Sequence, residues 1–559
     1  MSTVDFDAAL HAYNHDDLAT AKQRALMVIA AQPDHVPAHQ LLGAIALHSH
    51  STADAVRHFE RAAALAPNDF ETAYNLGVVF HQTRKLPHAR RCYEQALHLA
   101  PNYVPALENL ALVHRAMNQL DEARTLLLRA LDIDPSRATL YWHLTGVARQ
   151  SEQFGAALAY GQRAVALAPQ QQTWCLALAN DLFAAGDFAG VREQCEHVMS
   201  FIPGHAEAKT LLGCCAMAEN NYAEADALFS DAIQSAPDDL YAHLNRGFLR
   251  LKLGDYVRGW DEFDWRVRHP DFLEGVNAPP ENIPLWRGEP LAGKRLLVMT
   301  EQGLGDTVMF VRFLARLQAQ GAHIVLQCQS GMKLLLQRVA GIEVLIDETE
   351  ALPPSIDYYI WLLSVPHRLA FDPQSEPLER AYLSPDPARA ARWGEWLGDT
   401  PGHRIGVVVT GNVQHRGNLH RSVPAHCLYP LVAVPDTQFL VLQKNGEDVA
   451  SQALRTQLAA TPMPADWDKD GRFVDTAALL TQLDVLVTVD TAIAHVAGAL
   501  NVPTLLLLSA RCDWRWGAQG DRTPWYPSVT LVRQTGADWS TAINRVFDLL
   551  QTRQYASDR

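Results

Sequence analysis

The sequence is short of positive charge, of paired cysteines and of long apolar runs. A net charge of −15 leaves no basic face for a phosphate backbone, which excludes nucleic acid as a partner class. The eight cysteines contain no Cys-x-x-Cys pair, so neither a zinc site nor a disulfide frame is expected, and free thiols in a reducing compartment are. No apolar run reaches the roughly 18 residues needed to span a bilayer. The longest, around Val502 to Ala510, fits a buried strand. The stretch MSTVDFDAAL has no basic region leading into an apolar one, so no secretory signal is expected and the reading is cytoplasmic. Two nucleotide fingerprints are also missing. There is no Gly-Lys-Ser/Thr loop, and the third glycine of a dinucleotide motif would fall at Val308. A chain of 559 residues exceeds a single core and implies two or three domains.

What is there begins with a period. Prolines stand at 33, 67, 101, 135, 169, 203 and 237, each 34 residues after the last. Ala21, Ala55, Ala89, Ala123, Ala157 and Ala225 keep the same phase, as do Gly43, Gly77, Gly213 and Gly247. Small residues at fixed phase let paired helices approach, and a proline closes each unit. About seven such units closely resemble tetratricopeptide repeats. Asn75, Asn109, His143 and Asn245 share one position of their units. They either solvate their helices or line a groove for a protein acceptor; Ala177 and Leu211 interrupt the series. The last unit turns rich in Trp and Arg, with Trp260, Trp265 and Arg266. It reads as a cap that docks on the following domain, with Pro270 closing it one residue early.

From Lys294 the period changes. Apolar β-rich runs alternate with helical stretches: Arg295–Met299, His323–Cys328, Glu343–Ile346, Tyr358–Leu363, Arg404–Thr410, Gln438–Gln443, Val485–Val489, Thr504–Leu508 and Val529–Val532. This alternation predicts parallel sheets with helices on both faces, and ligands beyond the C-terminal strand ends. The fold class expected is an all-α tetratricopeptide superhelix followed by an α/β part of two Rossmann-like lobes. Residues 1–272 are expected to form the repeat domain, 273–293 a junction, 294–395 the N-terminal lobe and 396–559 the C-terminal lobe.

Several strand ends carry groups suited to anions. The first strand runs into Glu301-Gln302-Gly303-Leu304-Gly305-Asp306, whose glycines permit close backbone approach and whose Asp306 either caps a helix or does chemistry. In the second lobe a loop, TGNVQHRGNLHRS, supplies Asn412, His415, Arg416, His420, Arg421 and Ser422, and the next strand ends in Gln443-Lys444. Such cations and hydroxyls suit phosphate. Val485–Val489 then turns at Asp490-Thr491 into a helical stretch through Ala492, Ile493 and His495. A strand that turns directly into a helix presents unpaired N–H groups and the positive end of the helix dipole, a site for a diphosphate. Thr491 alone could equally be an ordinary helix cap, and His495 is as suited to packing as to contact.

Taken together these motifs resemble bacterial proteins in which tetratricopeptide repeats are fused to a GT-B glycosyltransferase similar to the lipopolysaccharide heptosyltransferases. The markers are EQGLGDT (301–307), Gly411–Ser422, LQK (442–444), DTAIAHVAGAL (490–500) and DWRW with PWYP (513–527). The resemblance implies an inverting, metal-independent transfer without cofactor, using a nucleotide-sugar as co-substrate. Asp306 would be the general base. Gly303, Gly305, Asn412, Arg421, Ser422, Gln443, Lys444, Asp490, Thr491, Ala492, Ile493 and His495 would bind donor. The strand before Gly411 reads VVVT where many relatives have tryptophan, which bears on donor specificity. Flagellin glycosyltransferases share this architecture, so the resemblance implies a Ser or Thr hydroxyl of a docked protein such as flagellin as acceptor. Two alternatives stay open: a non-catalytic scaffold with a degenerate GT-B half, and a transferase extending lipid-linked glycans.

Overall fold

The structure, a computed structural model, describes residues 2–269, 272, 278–376, 378, 380–399, 402–411, 421–444, 449–536 and 538–555. The chain divides into two compact units, Met1–Leu212 and Gly213–Arg559. The repeat pattern runs past this division. Helical hairpins begin at Ser2, Val36, Phe70, Val104, Ala138, Gln172, Ala206 and Leu240, a 34-residue step throughout. Seven are followed by the periodic prolines, which occupy the turns between hairpins where no helical N–H is lost. The eighth, Leu240–Leu253 with Tyr256–Phe263, lacks that proline; Pro270 lies outside the described residues. The end of the repeat pattern and the boundary of packing are therefore different places.

The small phase positions have a specific cause. A Cβ on Gly77 would stand 2.6 Å from the Tyr93 ring, and one on Gly43 2.8 Å from Phe59. Gly213 faces Phe229 in the same way, with 2.6 Å available. Each glycine makes room for one fully buried aromatic on the partner helix of its hairpin.

The second unit holds two parallel sheets. The first comprises β1 (Arg295–Met299), β2 (His323–Cys328), β3 (Val344–Asp347) and β4 (Tyr358–Trp361), in the order β3-β2-β1-β4. The second comprises β5 (His403–Val407), β6 (Thr437–Val441), β7 (Val485–Val489), β8 (Thr504–Leu508) and β9 (Val529–Arg533), in the order β6-β5-β7-β8-β9. Every pairing is parallel, and β7 and β8 are buried along their whole length. In each sheet the chain reverses its winding direction beside the first strand, between β1 and β4 and between β5 and β7. Strand ends at such switch points diverge into crevices that take ligands. The expected junction is partly sheet: the Trp286 N–H donates to the Tyr359 carbonyl at 2.8 Å, and the Tyr359 N–H to Pro284 at 3.0 Å.

The terminal hairpin belongs to the core of this unit. Trp260 is 1% exposed, donates Nε1–H to the Phe371 carbonyl at 2.9 Å, and meets Phe310, Trp514 and Trp525 edge to face. Arg266 is also buried; its Nη2 donates to Glu301 Oε1 at 2.7 Å and to Ser364 Oγ at 2.9 Å, and its Nη1 to Asp264 Oδ1 at 2.9 Å. Trp265 does not join this docking surface. It stacks on His243 of the Leu240–Leu253 helix at 3.6 Å, the first helix of the same hairpin. Glu301 Oε2 has no partner among the described residues, and burial pushes the carboxyl up to about 7 in spite of Arg266. Removing one member of a buried pair strands the other's charge. Arg266→Ala is therefore expected to destabilise the second unit by about 3–5 kcal/mol in denaturant titrations. Combining it with Glu301→Gln should return a large part of the loss; an additive double variant would show that the pair does not couple.

Candidate functional site

The turn after β1 is shaped by Gln302, whose φ of +61° reverses the chain, and by Gly303, the N-cap of the Leu304–Phe310 helix. The Gly303 N–H donates to Asp306 Oδ2 at 2.9 Å. Asp306 is therefore not the N-cap but the third residue of the helix, with one carboxylate oxygen reaching back to the cap N–H and the other left for something else. Gly305 is required by a helix: a Cβ there would meet His495 Cδ2 at 2.8 Å and Ala492 Cα at 3.3 Å. The first-lobe turn and the second-lobe helix start are in direct contact through that glycine.

On the second lobe, β7 ends at Val489, and Thr491 caps the Ala492–Ala499 helix with extended backbone at φ −145°. The Thr491 hydroxyl makes no cap bond and has no partner among the described residues. Asp490, Thr491, Ala492 and Ile493 line a cavity of about 1200 Å³, and so do Gly303, Gly305, Asp306, Arg421, Gln443, Lys444 and His495. Residues more than a hundred positions apart, expected at separate strand ends, share one cleft.

Their roles within it differ. Gln443 is 6% exposed and clamps Thr410, donating Nε2–H to its carbonyl at 3.2 Å and accepting its N–H at 3.3 Å. That ties the loops after β5 and β6 together. Ser422 lies outside the cavity lining and shares a 2.8 Å hydrogen bond with the Thr410 hydroxyl. Lys444 is exposed and donates to the Asp468 carbonyl at 3.2 Å. Asn412, with His415, Arg416 and His420, lies outside the described residues. His495 both packs and faces the cavity: its ring stacks near Trp516 at 5.2 Å, and its Nδ1 lies 2.9 Å from the Tyr526 hydroxyl. In the repeats, Asn109 donates to the Tyr74 hydroxyl at 2.9 Å, His143 contacts Glu108 at 3.2 Å and Asn245 bonds the Tyr241 carbonyl of its own helix at 2.8 Å. The Asn75 amide has no hydrogen-bond partner among the described residues.

The group that sequence reasoning gave no role is Arg515. Its side chain is 9% exposed; Nη2 pairs with Asp306 Oδ1, and Nη1 with Asp513 Oδ1 at 2.7 Å. Its guanidinium lies over Trp514 at 4.4 Å. Burial and the neighbouring Asp513 push Asp490 above the ordinary carboxylate range, whereas Arg515 holds Asp513 below it against the effect of burial. The available signal was position. The loop after β8 is another strand end in the same sheet, and it carries Asp513 and Arg515 as the others carry Arg421 and Lys444. Trp467, Asp468, Arg472 and Phe473 also line the cavity from a segment with no strand-end signature.

Residues 472–542 match the profile of glycosyltransferase family 9 (heptosyltransferase), a span that includes β7, the Asp490–Ile493 turn and Arg515. Residues 49–104, 82–146 and 182–247 match tetratricopeptide repeat profiles. Protein FlbA of Caulobacter vibrioides is 26% identical over 380 residues, covering 58% of this chain and 63% of its own length. The chain thus spans less than two thirds of that relative. Among solved structures, YrrB, a TPR protein with an unusual peptide-binding site, is 25% identical with a TM-score of 0.30, over 33% of this chain and 95% of its own. PilW, a type IV pilus biogenesis factor, is 18% identical with a TM-score of 0.35, over 38% and 98%. Three stretches of the chain are thus similar to tetratricopeptide repeats, and a stretch of its second unit is similar to the heptosyltransferase family.

One electrostatic consequence is measurable. Burial, with Arg515 and Arg312 nearby, lowers His495 from the ordinary 6.5 to about 3, so the ring is neutral in the folded protein. The unfolded chain takes up a proton below pH 6.5 that the native state refuses, so this residue costs stability progressively as pH falls from 6.5 towards 3. His495→Gln is expected to flatten the pH dependence of unfolding free energy across that window by up to about 1.4 kcal/mol per pH unit. An unchanged slope would place the protonation elsewhere.

Proposed function

We propose that the second unit is an inverting, metal-independent glycosyltransferase that moves a sugar from a nucleotide-sugar to a Ser or Thr hydroxyl of a protein acceptor. The observation that carries this reading is the shared cleft. A carboxylate on the first-lobe turn faces a helix start, and Arg421 and Lys444 line the same cavity. The match of residues 472–542 to family 9 supports the donor side. In the transfer, the acceptor hydroxyl gives its proton to Asp306 while its oxygen attacks the anomeric carbon. The bond from that carbon to the diphosphate breaks, and its electron pair leaves with the nucleoside diphosphate, so the anomeric configuration inverts. The helix start at Thr491–Ile493 and the cations then meet charge that grows as the bond breaks, where fixed dipoles act most strongly. Asp490 would hold sugar hydroxyls.

The repeats support a protein acceptor, because such arrays present side chains to extended segments. The free Asn75 amide is suited to a peptide backbone. Flagellin is the acceptor that the architectural resemblance suggests.

Asp306→Asn is expected to lower transfer by about 10²–10⁴-fold, the worth of a general base, while nucleoside diphosphate binding survives. Wild-type transfer by this variant would remove Asp306 from the chemistry. Deleting residues 1–205, which leaves the second unit and its first helix whole, is expected to spare donor hydrolysis and to abolish modification of the protein acceptor. Undiminished modification would remove the docking role of the repeats.

A further inference from the structure

Arg515 occupies an unusual electrostatic position. It is nine-tenths buried, and two carboxylates, those of Asp306 and Asp513, each engage one of its terminal nitrogens. Its Nε has no partner among the described residues, and neither has the Thr491 hydroxyl on the facing helix start. Both residues line the same cavity. The pairing to Asp306 conflicts with the task given to that residue. With Oδ2 taken by the Gly303 N–H and Oδ1 by Arg515, the Asp306 carboxylate is engaged on both sides.

A diphosphate offers more charge and more acceptor oxygens than one carboxylate, and a guanidinium prefers such a bidentate partner. We infer that Arg515 exchanges partners: it holds Asp306 until the donor binds and then turns to the donor diphosphate, freeing Asp306 Oδ1 to receive the acceptor's proton. This rests on the transferase reading above. It makes the base available only once a donor is in place, so acceptor activation follows donor binding. It also adds Arg515 to the donor-binding cations.

The test is calorimetric titration of the full-length protein with UDP, ADP, GDP, CDP and TDP, and with the nucleoside of whichever binds. Arg515→Met is expected to weaken diphosphate binding about tenfold or more, the worth of a charge-assisted contact, with the nucleoside affinity little changed. A loss that fell equally on nucleoside and diphosphate would show a merely structural role and overturn the inference. Arg515→Lys, which keeps the charge without the fork, should lose less. If the methionine variant does not fold, undiminished diphosphate binding by the lysine variant overturns the exchange. Asp306→Asn removes the competitor for Arg515, so it should tighten diphosphate binding severalfold. That gain should vanish in the Arg515→Met background. An equal gain in both backgrounds would mean simple charge repulsion and would overturn the exchange. If the wild type binds no nucleoside diphosphate, the transferase reading itself fails, and the inference with it.

Discussion

Asp306, Asp490 and Asp513 stand around one buried guanidinium, and the architecture of the second unit can be read as what is needed to keep them there. Carboxylates gathered in a low-dielectric cleft repel one another and lose hydration; they persist only if a cation is placed among them or if one of them holds its proton. The cation is Arg515, which pairs with Asp306 and Asp513, while burial and Asp513 push the Asp490 carboxyl above the ordinary range in spite of Arg421 and Arg515. The contact of Gly305 with Ala492 and His495 sets the spacing, since any side chain at 305 would pry the two turns apart.

Placing Arg515 is itself a packing problem, and the repeats help to solve it. Trp514, on which the guanidinium lies, packs against Trp260 of the last repeat helix at 5.4 Å. The same indole meets Phe310, the last residue of the helix that begins beside Asp306, at 6.0 Å. One side chain from the end of the repeat pattern therefore supports both partners of the Asp306–Arg515 pair. Arg266, six residues on, fixes Glu301 just ahead of the Gly303 turn.

Much of this was legible in the sequence for a physical reason. A 34-residue proline period can only come from identical hairpins, and β-branched runs alternating with helical ones can only bury themselves as a parallel sheet. Strand ends at a switch point must converge, so Arg421, Lys444 and the Asp490–Ile493 turn could be assigned to one place before any coordinate was known. What the pattern could not carry was pairing across the fold. Asp306 and Arg515 are 209 residues apart, and nothing local to either announces the other. Gly305 at a strand end suggests space for a ligand, and it is also space for a helix; the two demands leave the same residue behind. Gln443 and Ser422 suit a donor, and the structure engages both with Thr410, because polar groups at strand tips also have neighbouring loops to tie.

The position of the last hairpins bears on why a repeat array and a transferase share a chain. Had the packing boundary coincided with the end of the repeat pattern, a segment held on the repeats would be tethered to the catalytic turn only through a linker, and its hydroxyl would sample a wide volume. Instead the Leu240–Phe263 hairpin shares a hydrophobic core with the helix that begins at Leu304. The proposed transfer would require an oxygen within hydrogen-bond reach of Asp306 and in line with the breaking bond, and errors of an ångström in such geometry cost orders of magnitude in rate. A last hairpin built into the core of the second unit would remove one source of such error for whatever that hairpin holds. That accounts for a feature the period alone leaves unexplained: the final unit keeps Gly247 in phase with its predecessors but adds Trp260 and Arg266, because its outer face has a partner to grip.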